Sequence, residues 1–180
     1  MTVSQNPGPQ SGRTDAISLD IFKAGRKLTV INCYNPPKHE LAINLGNKNI
    51  LTKTLLAGDL NAKSPAWGYD ATDSSGQKVQ EILNTTNLFC MQNKHSPPTL
   101  LHTGNGSLSR PDLTLISADQ EGKTTIKVLE DVGSDHRSIE ITIALAEARG
   151  VATKRPKKWS YTKADWPAYG AAVDPPCRVS

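Results

Sequence analysis

The strongest constraint on the fold is a chain-long succession of short, β-rich apolar runs cut by Gly, Pro and Asp. Leu28–Tyr34 reads Leu-Thr-Val-Ile-Asn-Cys-Tyr and stops at Pro36-Pro37, because proline cannot donate to a strand ladder. Thr54–Ala57 is a short continuous run that ends at Gly58. Ser138–Ile143 alternates strictly, with Ile139, Ile141 and Ile143 on one face and Ser138, Glu140 and Thr142 on the other. Ile17–Phe22, Leu88–Met91, Thr99–His102, Asp112–Ser117 and Thr124–Glu130 are further strands. Gly25 lies in the turn that joins residues 17–22 to 28–34 as a hairpin. Helical spacing occurs at Val79, Ile82 and Leu83, behind the start signals Ser74, Ser75 and Gly76. In residues 39–50 the pattern is ambiguous, and a short helix is the regular element they could hold. Many strands with one or two helices predict an α/β (α+β) sandwich of mostly antiparallel sheets.

At 180 residues the chain is long enough for one domain with a real hydrophobic core. Aromatics make up only 5%, so that core must rest on Ile, Leu and Val. The expected organisation is a disordered tail over 1–14, a domain over 15–146 and a basic linker or tail over 147–180. No apolar run approaches the ~20 residues of a membrane-spanning helix. Met1–Ser11 has neither the charged nor the apolar region of a secretory signal. Cys33, Cys90 and Cys177 are far apart and odd in number, which excludes a disulfide framework and a CxxC zinc knuckle. The expected setting is a reducing compartment, nuclear if the chain acts on DNA. Lys154, Arg155, Lys157, Lys158 and Lys163 crowd one stretch, interleaved with Trp159, Tyr161 and Trp166. Such a run can contact phosphates and stack bases, although a solvated linker is the commoner reading of a charge run.

Polar side chains collect where strands begin and end. Asp59 and Asn61 follow the run Thr-Leu-Leu-Ala-Gly, Asp112 precedes Leu113–Ile116, and Asp135 and His136 precede the alternating strand. Taken singly, an acidic residue beside a strand marks a turn. Three such loops, one with a histidine, would converge if the strand ends share a rim. Hard oxygen ligands suit Mg²⁺ or Mn²⁺ rather than zinc. A metal beside His and Asp can activate water and neutralise a phosphate in flight. The set therefore points to phosphoester hydrolysis.

The motifs Leu56-Ala57-Gly58-Asp59-Leu60-Asn61-Ala62, Ser109-Arg110-Pro111-Asp112-Leu113-Thr114-Leu115-Ile116 and Gly133-Ser134-Asp135-His136 occur in that order. Over residues 15–146 the chain resembles the endonuclease/exonuclease/phosphatase superfamily. Asn35-Pro36-Pro37 and Ser64-Pro65-Ala66-Trp67-Gly68 resemble the apurinic-type endonuclease domain of non-LTR, jockey-type retrotransposon polyproteins. The resemblance implies two mostly antiparallel sheets packed face to face with flanking helices, and Mg²⁺- or Mn²⁺-dependent nicking of DNA by a monomer. It implies that Asp59 orients or activates the attacking water and that Asn61 and Tyr34 contact the phosphate. His136 would act as general base or as charge stabiliser, with its tautomer fixed by Asp112. Asp135 would ligate the metal, and Ser134 would shape its turn. Trp67 reads as loop packing, His102 as a satisfied strand-end histidine, and His39 and His95 as surface residues. Lys157-Lys158-Trp159-Ser160-Tyr161 resembles the segment leading to a reverse transcriptase domain, here fused or lost.

One departure from the pattern matters. Members of the superfamily carry a metal-binding Glu in a Gln-Glu pair well before the Tyr-Asn-Pro-Pro region, and no such pair precedes Tyr34 here. The resemblance thus implies a domain lacking its N-terminal strands, weakened in metal binding and left with an open sheet edge or an uncovered face. The competing expectations are a catalytically dead remnant, a nucleic-acid-binding module, or another phosphoesterase of the superfamily.

Overall fold

The structure is a computed structural model that describes residues 2–7, 13–23, 25–45, 51–130, 133–144 and 166. The chain divides into two units, Met1–Glu147 and Ala148–Ser180. Of the second unit only Trp166 is described, so the basic segment expected over 147–180 lies outside the described residues.

Among its described residues the first unit holds ten strands and one α-helix. The strands are β1 (Thr2–Pro7), β2 (Asp15–Lys23), β3 (Arg26–Tyr34), β4 (Thr54–Asp59), β5 (Leu88–Cys90), β6 (Leu100–Leu101), β7 (Leu108–Ser109), β8 (Asp112–Ser117), β9 (Thr124–Val128) and β10 (Ile139–Ile143). The helix α1 spans Ser74–Thr85, and short 3₁₀ turns occupy Pro65–Trp67 and Ala118–Lys123. A six-stranded sheet runs in the order β1-β2-β3-β4-β8-β5, and β9 with β10 and β6 with β7 form two-stranded sheets. This is the expected mixed α+β architecture with several sheets and few helices. Pairing is antiparallel except between β3 and β4, whose long connection allows a parallel crossover.

Strand alternation assigns each residue a face of the large sheet. Ala16, Ile31, Cys33, Leu56, Leu113, Leu115 and Leu88 join the buried core together with Val79 of α1, Leu60 and Trp67. On β2 this burial selects Ala16 and Ser18, while Ile17 stays 50% exposed. The more apolar face of β2, carrying Ile17, Leu19 and Ile21, is therefore not the face that joins this core. Asp73 caps α1 by accepting from the Gly76 backbone N–H, one residue before the serines that marked the helix start. Trp67 is 1% exposed and its indole N–H donates to the Ala62 carbonyl at 2.9 Å, so it pins the loop after β4 to the core.

Two expectations need correcting. Thr2–Pro7 lies within the tail expected to be disordered, yet it forms β1 and pairs with β2 from Thr2↔Phe22 to Pro7↔Ile17. The edge of β2 presents unpaired backbone donors and acceptors, and even a polar segment gains ladder hydrogen bonds there. Residues 8–12 lie outside the described residues. The described part of the ambiguous segment, 39–45, holds no helix. Its backbone is anchored instead by side chains, with the Ala42 N–H donating to Thr14 and the Leu41 N–H to Ser75. β7 went unanticipated because a two-residue strand carries no period.

Gly58 sits at φ 145 where β4 passes β3, and a Cβ there would lie 2.0 Å from the Cys33 carbonyl oxygen. Only glycine permits this approach, and it delivers the next residue, Asp59, to the end of the ladder. Truncating Trp67 to alanine should cost about 3–5 kcal/mol, as for other fully buried large aromatics. Denaturant unfolding followed by far-UV circular dichroism would measure that loss.

Candidate active site

β4 and β8 bring two carboxylates together. Asp59 and Asp112 are directly opposed in the antiparallel ladder, so their side chains leave the same face at the same end of the sheet. β6 then positions the third component. The Arg137 N–H donates to Thr99 O at 2.7 Å, the Leu101 N–H donates to Asp135 O at 2.9 Å, and Leu100 bridges His136. These contacts set the His136 ring against β8, with Nδ1 3.0 Å from Asp112 Oδ2.

The same Asp112 oxygen accepts from the Thr99 hydroxyl at 2.6 Å. Thr99 is fully buried, so the carboxylate is held from behind as well as in front. A carboxylate takes a hydrogen from Nδ1, which leaves Nε2 to face away from Asp112. Thr99 was not anticipated as a site residue, and nothing local in the sequence marks it. Its role follows only from the crossing of the segments before β6 and before β10.

Asn61 sits in the left-handed region at φ 43, a conformation asparagine tolerates better than most residues. Its backbone N–H donates to Asp59 Oδ1 at 3.1 Å, closing a local turn. Its side-chain Nδ2 donates to the Asn35 carbonyl at 2.9 Å, which aims the amide. Asn35 is itself fully buried, so the amide is fixed to a rigid partner.

A cleft of about 960 Å³ opens over this end of the sheet and is lined by Tyr34, Asp59, Asn61, Asp135 and His136. Five of the six residues singled out from the sequence thus face one cavity. The sixth, Asp112, supports His136 from within. Tyr34 is 46% exposed at the end of β3. His102, expected to be a satisfied strand-end histidine, bonds Ser109 Oγ at 2.9 Å and also lines the cleft.

Burial is the largest influence on the Asp59 carboxyl and raises its pKa above the ordinary 3.8, and the neighbouring Asp112 adds to the rise. The Asn61 N–H and His136 oppose it in part. The thiol of Cys33, pushed up to about 12 chiefly by burial, is no nucleophile at neutral pH.

The expected metal fits less well. Among the described residues no group of three or more His, Cys, Asp or Glu side chains is placed to hold a metal ion. Asp135 Oδ1 accepts from the His136 N–H at 3.0 Å and from the Ser134 hydroxyl at 3.3 Å, inside its own turn.

This combination of an α+β sheet scaffold and a His-Asp pair beside a second carboxylate defines the class of fold, and comparison narrows it. Residues 28–140 match the family model described as endonuclease-reverse transcriptase. The chain belongs to that family. Among solved structures, the fold is similar to the "Endonuclease domain of TRAS1, a telomere-specific non-LTR retrotransposon", with a TM-score of 0.62 at 23% identity. That likeness covers 79% of this chain, and the chain spans 66% of the length of that structure. Comparison with curated proteins finds no match.

The raised pKa of Asp59 fixes the sign of a stability effect. The folded state binds this proton more tightly than the unfolded chain, so the ionised carboxylate destabilises the fold above the raised pKa. Asp59→Asn keeps the acceptor for the Asn61 N–H and removes the charge. It should raise the Tm at pH 7, and the gain should fade as pH drops toward 3.8, where the free carboxyl protonates. Thermal melts across that pH range would check it.

Proposed function

We propose that the chain hydrolyses phosphodiester bonds in DNA, nicking one strand, as the endonuclease domain of a non-LTR retrotransposon polyprotein. The observation that carries this reading is the ladder pairing of Asp59 with Asp112 together with the 3.0 Å contact from Asp112 to His136. Asp59 and His136, held in this way, both line one cleft together with Asn61.

In this reading Asp59 takes the proton of the attacking water. Burial raises its pKa, which makes it a stronger base than a free aspartate. The water oxygen bonds to phosphorus, the bond to the leaving oxygen breaks, and that oxygen takes up a proton from solvent. The Asn61 amide, whose side chain also hydrogen-bonds Asp59, and the Tyr34 hydroxyl contact a phosphate oxygen in this reading. His136, oriented by Asp112 and Thr99, presents Nε2 to the phosphate and stabilises the charge that develops there by hydrogen bonding.

DNA is the partner in this reading, and a reverse transcriptase domain is a fused or lost neighbour. The Mg²⁺ or Mn²⁺ dependence expected from the resemblance has Asp135 as its one candidate ligand, and no step above passes through a metal. The competing reading is a catalytically dead remnant that at most binds nucleic acid.

Supercoiled plasmid incubated with the chain and Mg²⁺ separates the two. Relaxation to open circles that falls by about 10²–10⁴-fold in both Asp59→Ala and His136→Ala is the expected result. Salt-sensitive DNA binding without any relaxation would favour the binding module instead.

A further inference from the structure

The cleft presents a difficulty for any phosphodiester chain. Its catalytic wall is rich in carboxylate, with Asp59 and Asp135 lining it and Asp112 behind His136. A polyanion entering such a cleft needs fixed cations elsewhere on the wall. Lys38 and Lys63 line the same cleft. Neither makes an ion pair among the described residues. Each stands on an unusually constrained piece of backbone.

Lys38 lies at φ 65, a conformation that is uncommon for a lysine and persists where the surroundings over-determine it. The turn that carries it is clamped at the next residue. The His39 carbonyl accepts from Asn35 Nδ2 and from the Ser75 hydroxyl, both at 2.9 Å. Asn35 is also the residue whose carbonyl aims the Asn61 amide. One buried residue therefore sets the position of Lys38 relative to the Asn61 amide.

Lys63 is clamped by the start of α1. Its N–H donates to Asp73 Oδ1 at 2.9 Å, and its carbonyl accepts from the Asp73 N–H at 3.3 Å. A Cβ on Gly76 would lie 1.8 Å from the Lys63 carbonyl oxygen, so the helix closes onto this backbone without a gap. The ammonium sits 6.0 Å from the centroid of the Tyr69 ring, within cation–π range. That ring is itself held, because its hydroxyl accepts from the Arg110 N–H at 3.0 Å. Asp73 lines the cleft as well, but its Oδ1 is engaged by the N–H groups of Lys63 and Gly76.

We propose that Lys38 and Lys63 are two preformed phosphate-binding subsites that grip backbone phosphates flanking the scissile one. The proposal rests on the nuclease reading above and adds to it the residues that hold the strand. Fixed backbone lowers the ordering cost of each contact. Contacts to phosphate position the strand and carry no base preference, so their loss weakens binding alike for all sequences.

The test is a salt titration of binding to a short fluorescent duplex, read by anisotropy, with the full chain. Lys38→Asn keeps a residue suited to the left-handed turn, and Lys63→Gln keeps the stem over Tyr69, so neither threatens the fold. Each should flatten the slope of log K against log salt by about 0.9, and the double variant by about 1.8. Between 50 and 200 mM salt that is an affinity loss smaller by about 3.5-fold for each lysine removed. Lys63→Arg should restore the slope. Lys78→Gln, on the exposed side of α1 and paired with Glu81, should leave it unchanged. A wild-type chain that nicks plasmid while both variants keep its full slope overturns this proposal alone. A wild-type chain that neither binds nor nicks DNA overturns it together with the nuclease reading.

Discussion

The hydrogen bonds of one buried asparagine hold this end of the molecule together. Asn35 donates its backbone N–H to Asp59 O at 2.8 Å and accepts from Asn61 Nδ2 at 2.9 Å on its carbonyl. Its side chain accepts from the Thr14 hydroxyl at 2.8 Å and donates to His39 O at 2.9 Å. The ends of β3 and β4, the Pro36-Pro37 turn and the segment before β2 therefore meet at one residue. In a dry setting each of these groups costs about 1–3 kcal/mol if left unpaired. The arrangement is thus all or nothing, and the catalytic amide and the strand-gripping turn inherit its rigidity.

The site built on that anchor is stabilised unevenly. Asp59 and Asp112 oppose each other at the end of a ladder, a pairing that like charges disfavour. Burial adds to the cost at Asp59, while His136 and the Asn61 N–H offset part of it. Thr99 and His136 share one oxygen of Asp112 and hold that carboxylate firmly in place. Strain of this kind, concentrated in a cleft and supported by a well-packed sheet, is the pattern expected where function and stability compete.

Several elements were legible before any coordinates. The β-rich run of β3 and the period-two pattern of β10 both form strands in the fold, and the turn residues around Gly25 and Pro36-Pro37 bound β3 as expected. α1 was visible in its spacing of Val79, Ile82 and Leu83, although its cap, Asp73, lies one residue earlier than the serines suggested. Other features were not legible, for physical reasons. β1 is polar and becomes a strand only because β2 offers it an edge. The Ile17 face of β2 looks like a core face, yet Ala16 on the opposite face is the residue that joins the buried core. Thr99, Lys38 and Lys63 carry no local pattern, since their roles depend on which segments cross near them.

What the sequence determined by itself was the set of strand-end motifs and their chemistry. Gly58-Asp59-Leu60-Asn61 and Ser134-Asp135-His136 are local, and an apolar run followed by polar residues ends a strand wherever it sits. Only the tertiary structure decided that these ends share a rim. That outcome depends on the sheet order β3-β4-β8 and on the bridge from β6 to His136. Both are long-range pairings between segments far apart in the chain. Short-range periodicity sets which way a side chain points along its own strand, but the partner across the ladder is selected by packing of the whole core.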